Sequence, residues 1–260
     1  MVRSKRKAQQ GVQSIEVGGR ALLALAHASA PMMLRDIASK AQMPAAKAHR
    51  YLVSLTRMGL VEQRSENGLY DLGPFALQLG LGALARLEPV TLAAPFLSRL
   101  REDIGQTVAL AVWGNQGATI VRWLGADTPV AASLRVGSVM PITRSATGNA
   151  FLAFLPEQTT ARWVRSELAE HVRKGLTPAT TDEVERLTAK TRRLGYARTN
   201  EFIPGISGMA APVFDHTGAM VLALVALGYS RPFDDQFATI SAAVLREAQA
   251  LSQRLGFTAS

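Results

Sequence analysis

Lys47, His49 and Arg50 follow Ala45 and Ala46 directly after Pro44. Ala48, Tyr51, Leu52 and Leu55 interleave with them at helical spacing and form an inner apolar face, which leaves Ala45, Ala46, Lys47, His49, Arg50 and Ser54 on the outer one. That combination suits a helix lying in a DNA major groove. Small residues let the backbone approach base edges, and Lys and Arg reach phosphate or guanine. A helical hairpin with a solvated basic face fits the same spacing. Catalysis has little support. His27, His49, His171 and His216 are scattered over unrelated segments, and there is no cysteine. No His–carboxylate cluster has metal spacing, and there is no nucleophile elbow or phosphate loop. Gly80-Leu81-Gly82 lies in an apolar stretch without the strand that a dinucleotide site requires. No catalytic residue, metal or cofactor is therefore expected.

The elements around this helix read as a winged helix-turn-helix. Leu34, Ile37, Ala38 and Ala41 give a short first helix, and Gln42-Met43 breaks it. Pro44 opens the second helix, where proline is tolerated, and Gly59 is placed to end it. Leu60–Gln63 and Leu69–Gly73 alternate as two short strands around an Asn67-Gly68 turn. Arg64 stands at the wing and is placed to touch backbone or minor groove. Upstream, Ser14 is a plausible cap for a helix through His27, with Ile15, Ala21, Leu22, Leu25 and Ala26 inward. Residues 1–11, with Arg3-Ser4-Lys5-Arg6-Lys7, read as a disordered basic arm. Pro74 opens an apolar helix to Leu87 that either packs on a domain or pairs with its copy in a second subunit.

Charge supports the same division. The net charge is +9, with twelve Lys+Arg against six Asp+Glu in residues 1–90 and seventeen against fourteen in residues 91–260. An excess gathered in the first third points to a polyanionic partner. A 48% hydrophobic and 19% charged composition is that of a globular protein. No signal peptide and no apolar run of bilayer length is seen, so no membrane partner and a cytoplasmic location are expected. The expected boundaries are 1–11 arm, 12–73 winged helix-turn-helix, 74–89 linker helix and 90–260 effector-binding and oligomerisation domain.

From Val90 the pattern becomes mixed. A helix to Ile104 precedes strands at 107–113, 118–123 and 131–136. Helices follow at 146–155, 158–173 and 182–194, then strands at 196–200, 207–214 and 219–228, and a terminal helix from Phe233 to Leu255. The run Ala219–Gly228 is the longest and most apolar strand, hence central. Antiparallel hairpins with interspersed helices describe an α+β sensor-type domain.

The chain resembles the isocitrate-lyase-regulator (IclR) family of bacterial transcription factors over almost its whole length. The landmarks are Met43–Leu52, Tyr70-Asp71-Leu72-Gly73, Pro141–Ala150, Arg193–Ala197 and Pro204–Asp215. The resemblance implies a GAF-like effector-binding domain for a small organic, carboxylic or aromatic acid. It also implies a homodimer or homotetramer on a palindromic double-stranded DNA operator. The chain departs from the family where Gln42 replaces a common Gly, Ala45-Ala46 replace Ser or Thr, and Asn149 replaces a Lys. Arg198-Thr199-Asn200-Glu201 replaces an acidic stretch.

Carried over from the family, the effector site comprises Ser145, Ala146, Thr147, Gly208 and Met209, with Met140 and Ala132 as apolar wall. A helix N-terminus at Ser145–Gly148 would offer free N–H groups to a carboxylate, although an N-cap without ligand fits the same residues. Arg144 and Arg198 are candidate cationic partners. Trp113, Trp123 and Trp163 could stack on an aromatic ligand or pack in the core. The expected function is a ligand-responsive DNA-binding regulator and not an enzyme. The alternative is a constitutive DNA-binding protein whose second domain only oligomerises.

Overall fold

A computed structural model describes residues 11–84, 88–127 and 134–258. Residues 1–10 of the expected arm and Ala132 lie outside the described residues. The chain divides into two compact units, Met1–Leu87 and Glu88–Ser260.

The first unit contains α1 (Gln13–Ala26), α2 (Leu34–Lys40), α3 (Ala45–Arg57), β1 (Val61–Gln63), β2 (Tyr70–Leu72) and α4 (Pro74–Leu84). Ala21, Ala24 and Leu25 of α1 form one core with Met32, Ile37, Leu52, Val61 and Tyr70. Three details of α1 differ from the sequence reading. The helix starts one residue before Ser14, with Val12 as N-cap and no side-chain cap. Ile15 is 73% exposed, and Ala26 is also exposed. Gly18 is buried instead, because a Cβ there would lie 2.8 Å from the Tyr51 ring of α3. The glycine lets α1 and α3 approach closely, which explains its place inside a helix.

β1 and β2 pair antiparallel with Val61 opposite Leu72 and Gln63 opposite Tyr70. Met32 adds a bridge to Tyr70, donating and accepting one backbone bond of 2.9 Å each. α4 continues from the wing, and the Phe75 N–H donates to the Gly59 carbonyl at 2.9 Å. Its Leu77, Leu79 and Leu81 side chains stay exposed within the chain.

The second unit runs α5 (Pro89–Leu92), α6 (Ala94–Ile104), β3 (Thr107–Gly114), β4 (Gly117–Leu124), α7 (Ala146–Phe154), α8 (Glu157–Arg173), α9 (Thr181–Leu194), β5 (Ala197–Ile203), β6 (Ile206–Phe214), β7 (Met220–Tyr229), α10 (Ser230–Asp235) and α11 (Phe237–Arg254). The five strands form one antiparallel sheet in the order β4-β3-β7-β6-β5. β7 lies at its centre and is buried almost without interruption, as a strand covered on both faces must be. α7 packs on one face through Ala150 and Phe151, against Ala109, Ala111, Ala210, Ala223 and Val225. α11 packs on β6, β7 and α6.

Three expected elements are altered. The helix expected from Val90 to Ile104 breaks at Ala93, since Pro95 has no N–H to donate and its ring crowds the preceding turn. Residues 134–136 form no strand, while 131–133 lie outside the described residues. Ser138 to Met140 run beside β4 instead, with Ile120 N–H to Ser138 O at 2.9 Å and Met140 N–H to Ala118 O at 2.7 Å. The terminal helix divides at Gln236 into α10 and α11.

Candidate functional site

α3 is pinned by Ala48 and Leu52, both fully buried. Its opposite face exposes Ala45, Ala46, Lys47, His49 and Arg50, and the helix contains no Asp or Glu. The His49 ring nitrogen Nδ1 lies 3.4 Å from the Tyr70 hydroxyl, so His49 also joins α3 to the wing. Ser54 Oγ donates back to the Arg50 carbonyl at 3.2 Å and stays on the helix. Arg64 pairs with Asp71 across the hairpin at 2.8 Å and is half exposed. An exposed pair of this kind contributes about 0–1 kcal/mol, so Arg64 can exchange Asp71 for phosphate at small cost. The wing turn is closed by Asn67 Oδ1, which accepts from Leu69 N–H at 3.1 Å, and by Gln63 Nε2, which donates to Gly68 O at 2.9 Å.

The turn into α3 carries local strain. The Gln42 N–H donates to Ser39 O at 3.1 Å and the Met43 N–H to Ala38 O at 3.0 Å, which is a Schellman ending for α2. This motif requires a left-handed residue, and Gln42 sits at φ +53° as the one non-glycine residue at positive φ among those described. α3 ends in the same way: Gly59 N–H donates to Thr56 O and Leu60 N–H to Leu55 O. There the left-handed position is a glycine at φ +73°.

In the second unit the expected effector residues separate into three groups. Met140, Ser145, Ala146, Thr147 and Gly208 line one small cavity of about 40 Å³, together with Ile120, Leu134, Phe202, Val225 and Leu227. Arg144 does not line it; its side chain lies on two outer clefts of about 740 and 410 Å³. Arg198 lines the larger of these clefts with Arg144, while its guanidinium, like the Met209 side chain, reaches the other side of the sheet. Arg198 and Met209 stand opposite each other on β5 and β6, one residue from the cavity-facing pair Thr199 and Gly208. Arg198 is bound there by Asp234 at 2.7 Å and lies 3.8 Å over the Phe237 ring. Met209 is fully buried. A one-residue register step decides the face, and no feature of the sequence marks it.

The N-terminus of α7 is tightly built. Ser145 Oγ accepts from Gly148 N–H at 2.9 Å and donates to Pro141 O at 2.6 Å. A Cβ on Gly148 would come within 2.1 Å of the Pro141 carbonyl, so the preceding loop lies directly on the helix. The Asn149 amide, turned to suit its neighbours, donates to Ile142 O and Thr143 O at 2.9 and 3.1 Å. The backbone N–H groups of Ala146 and Thr147 have no partner among the described residues and are the donors left to the cavity.

Glu167 of α8 is the residue that sequence reasoning missed. Its carboxylate accepts from Ile142 N–H at 2.5 Å, from Thr143 N–H at 3.1 Å and from Thr143 Oγ1 at 2.5 Å. It thereby fixes the loop that delivers Ser145 to its cap. Some 24 residues separate it from Thr143, and no motif links them. No cluster of three or more His, Cys, Asp or Glu with metal-binding geometry occurs among the described residues. No helix among them is long and apolar enough to cross a membrane.

Comparison with known proteins gives consistent results. Residues 14–65 match the IclR helix-turn-helix domain, and residues 81–253 match the bacterial transcriptional regulator IclR C-terminal domain. The transcriptional repressor IclR of Escherichia coli is 27% identical over 94% of this chain and 90% of its own. The glycerol operon regulatory protein of Streptomyces coelicolor is 31% identical over 79% and 80% respectively. The crystal structure of Pseudomonas aeruginosa HmgR superposes with a TM-score of 0.89 at 35% identity, covering 96% of this chain and 100% of that one.

Proposed function

The chain belongs to the IclR family of bacterial transcriptional regulators, and from that premise we propose that it is a DNA-binding regulator whose DNA affinity is set by a small organic acid bound in the 88–260 unit. DNA-binding transcriptional regulation comes with the family; the effector, operator symmetry and oligomeric state are this proposal's own content. The carrying observation is the exposed face of α3, where Lys47, His49 and Arg50 stand beside Ala45 and Ala46 on a helix without a carboxylate. Alanine permits close approach to base edges, and the cations reach guanine or phosphate. Arg64 adds a contact from the wing.

Two chains would present two such helices to successive major grooves of a palindrome, about 34 Å apart. The exposed Leu77, Leu79 and Leu81 of α4 support self-association, since a helix with large apolar side chains exposed on opposite faces is costly in water. For the effector, the Ala146 and Thr147 N–H groups and the positive end of α7 suit a carboxylate. Coupling between the sites of roughly 1–3 kcal/mol is typical of such regulators.

The test is fluorescence anisotropy with labelled DNA from upstream of the chain's own gene, at fixed salt, with and without small aromatic and aliphatic carboxylates. Specific binding that Arg50→Ala weakens and one acid shifts is the expected result. Specific binding that no acid alters would favour a constitutive binder with a purely oligomerising second unit. Binding unchanged in both Arg50→Ala and Lys47→Ala would refute the assignment of the α3 face.

A further inference from the structure

We propose that the 88–260 unit carries a second ligand groove, on the outer side of Met140 and Phe202, that takes a planar aromatic carboxylate. This rests on the reading of the unit as an effector domain but assigns the ring to a different space. The inner cavity of about 40 Å³ is close to one water's share of liquid volume, roughly 30 Å³. It cannot hold an aromatic ring as it stands. The outer groove of about 410 Å³ falls in the usual range for small-molecule sites, roughly 300–1,000 Å³.

Its lining fits an aromatic acid. Trp113 and Trp163 meet edge to face at 6.3 Å, and Trp113 rests on Phe151 at 5.7 Å, which holds its ring in place. Val139, Met140, Pro141 and Phe202 continue the apolar wall. The Trp163 Nε1–H is buried and has no hydrogen-bond partner among the described residues. Buried indole N–H groups ordinarily have an acceptor, so a small shift of this ring toward the groove would let a ligand oxygen supply one.

Several charges at the rim are already engaged. Glu167 is taken up by the backbone of Ile142 and Thr143, and Glu170 pairs with Lys174 at 2.6 Å. Arg144 has no carboxylate partner among the described residues. It offers the bidentate fork that a ligand carboxylate needs. Met140 and Phe202 line both the groove and the inner cavity, so they form the wall between them. A ring seated on Trp113 and Trp163 therefore presses on the cavity from outside.

The experiment uses the full chain labelled with 5-fluorotryptophan, whose three tryptophans give three ¹⁹F signals assigned by Trp→Phe variants. The probe is 2-naphthoate, with 2-naphthylmethanol and cyclohexanecarboxylate as controls lacking the charge or the aromatic ring. The expected result is a saturable shift of the Trp113 and Trp163 signals but not of Trp123, with weaker binding of both controls. Arg144→Gln should raise the dissociation constant about tenfold, the size of one exposed charge contact. Thr147→Val, which alters only the inner cavity, should leave it within about twofold. Absence of a saturable shift overturns the proposal, as does equal movement of all three signals. Loss of binding in Thr147→Val with retention in Arg144→Gln also overturns it. If carboxylates change DNA affinity while Trp113 and Trp163 stay unmoved, the outer groove falls and the effector reading stands.

Discussion

Gln42→Gly isolates the strain stored at the turn before α3. Gln42 holds the left-handed position of a Schellman ending that glycine fills at the end of α3. A side chain in that conformation costs about 1–2 kcal/mol. Glycine removes that cost but gives the unfolded chain more freedom, an opposing effect of about 0.5–1 kcal/mol. The net expectation is a stabilisation of about 0.5–1 kcal/mol. For a unit of this size that raises its midpoint by about 2–8 °C. The assay is thermal unfolding of the full chain followed by two signals. All three tryptophans, Trp113, Trp123 and Trp163, lie in the second unit, so their fluorescence reports that unit alone. Far-UV circular dichroism also follows α1 to α3. The dichroism transition that tryptophan fluorescence does not share should rise while the tryptophan transition stays put. Gly59→Ala is the opposite control: it adds a Cβ at φ +73°, 3.3 Å from Phe75 Cβ, and should destabilise by about 1–2 kcal/mol. If Gly59→Ala destabilises as stated but Gln42→Gly has no effect or lowers the midpoint, the strain argument fails.

Arg50→Ala should weaken operator binding by about 1–3 kcal/mol; a salt slope smaller by about one unit would mark a phosphate contact, an unchanged slope a base contact. Gly148→Ala forces a Cβ to within 2.1 Å of the Pro141 carbonyl and should cost about 3 kcal/mol in urea unfolding read by tryptophan fluorescence. Glu167→Gln weakens the acceptor for Ile142 and Thr143 and should cost about 1–3 kcal/mol in the same assay, with the α3 face and DNA contacts unaffected. Burial raises the Asp215 carboxyl's pKa, but the Thr217 hydroxyl and the Thr217 and Ala219 N–H groups outweigh it and hold the group below the usual carboxylate range. A depressed folded value stabilises above the unfolded pKa of about 3.9 and is lost as pH falls through the folded one. Asp215→Ala should therefore cost about 1–2 kcal/mol at neutral pH, and its deficit should shrink as pH drops below about 4.

What the sequence revealed was the part governed by local rules. Apolar spacing at Leu34, Ile37 and Ala38, proline at position 44 and Asn67-Gly68 at the wing each act within a few residues, and the helix-turn-helix and hairpin follow from them. The unbroken apolar run of β7 likewise marks a strand covered on both faces. What stayed hidden depends on long-range pairing or on a one-residue choice. Met209 was assigned to the effector pocket and Arg198 to the ligand's acid group, although β5 and β6 turn both to the far face, where Arg198 meets Asp234 and Phe237. Gly18 has its place inside a helix because the Tyr51 ring of α3 packs against it, a contact that local spacing does not show. Glu167 bonds a loop about 24 residues away, and a lone glutamate on an amphipathic helix gives no sign of that. Ser14 resembled a cap because its type is right, yet the helix had already begun.

The Ser145 hydroxyl is occupied at both ends, by Gly148 N–H and Pro141 O, so beside the Thr147 hydroxyl the start of α7 keeps the main-chain N–H groups of Ala146 and Thr147, which have no partner among the described residues. Main-chain groups are not encoded by residue identity, and mutation drift cannot delete them while the helix persists. Donors of that kind persist unchanged while the apolar walls around them diversify. The lineage would then explore new ligand bodies around a fixed chemical handle.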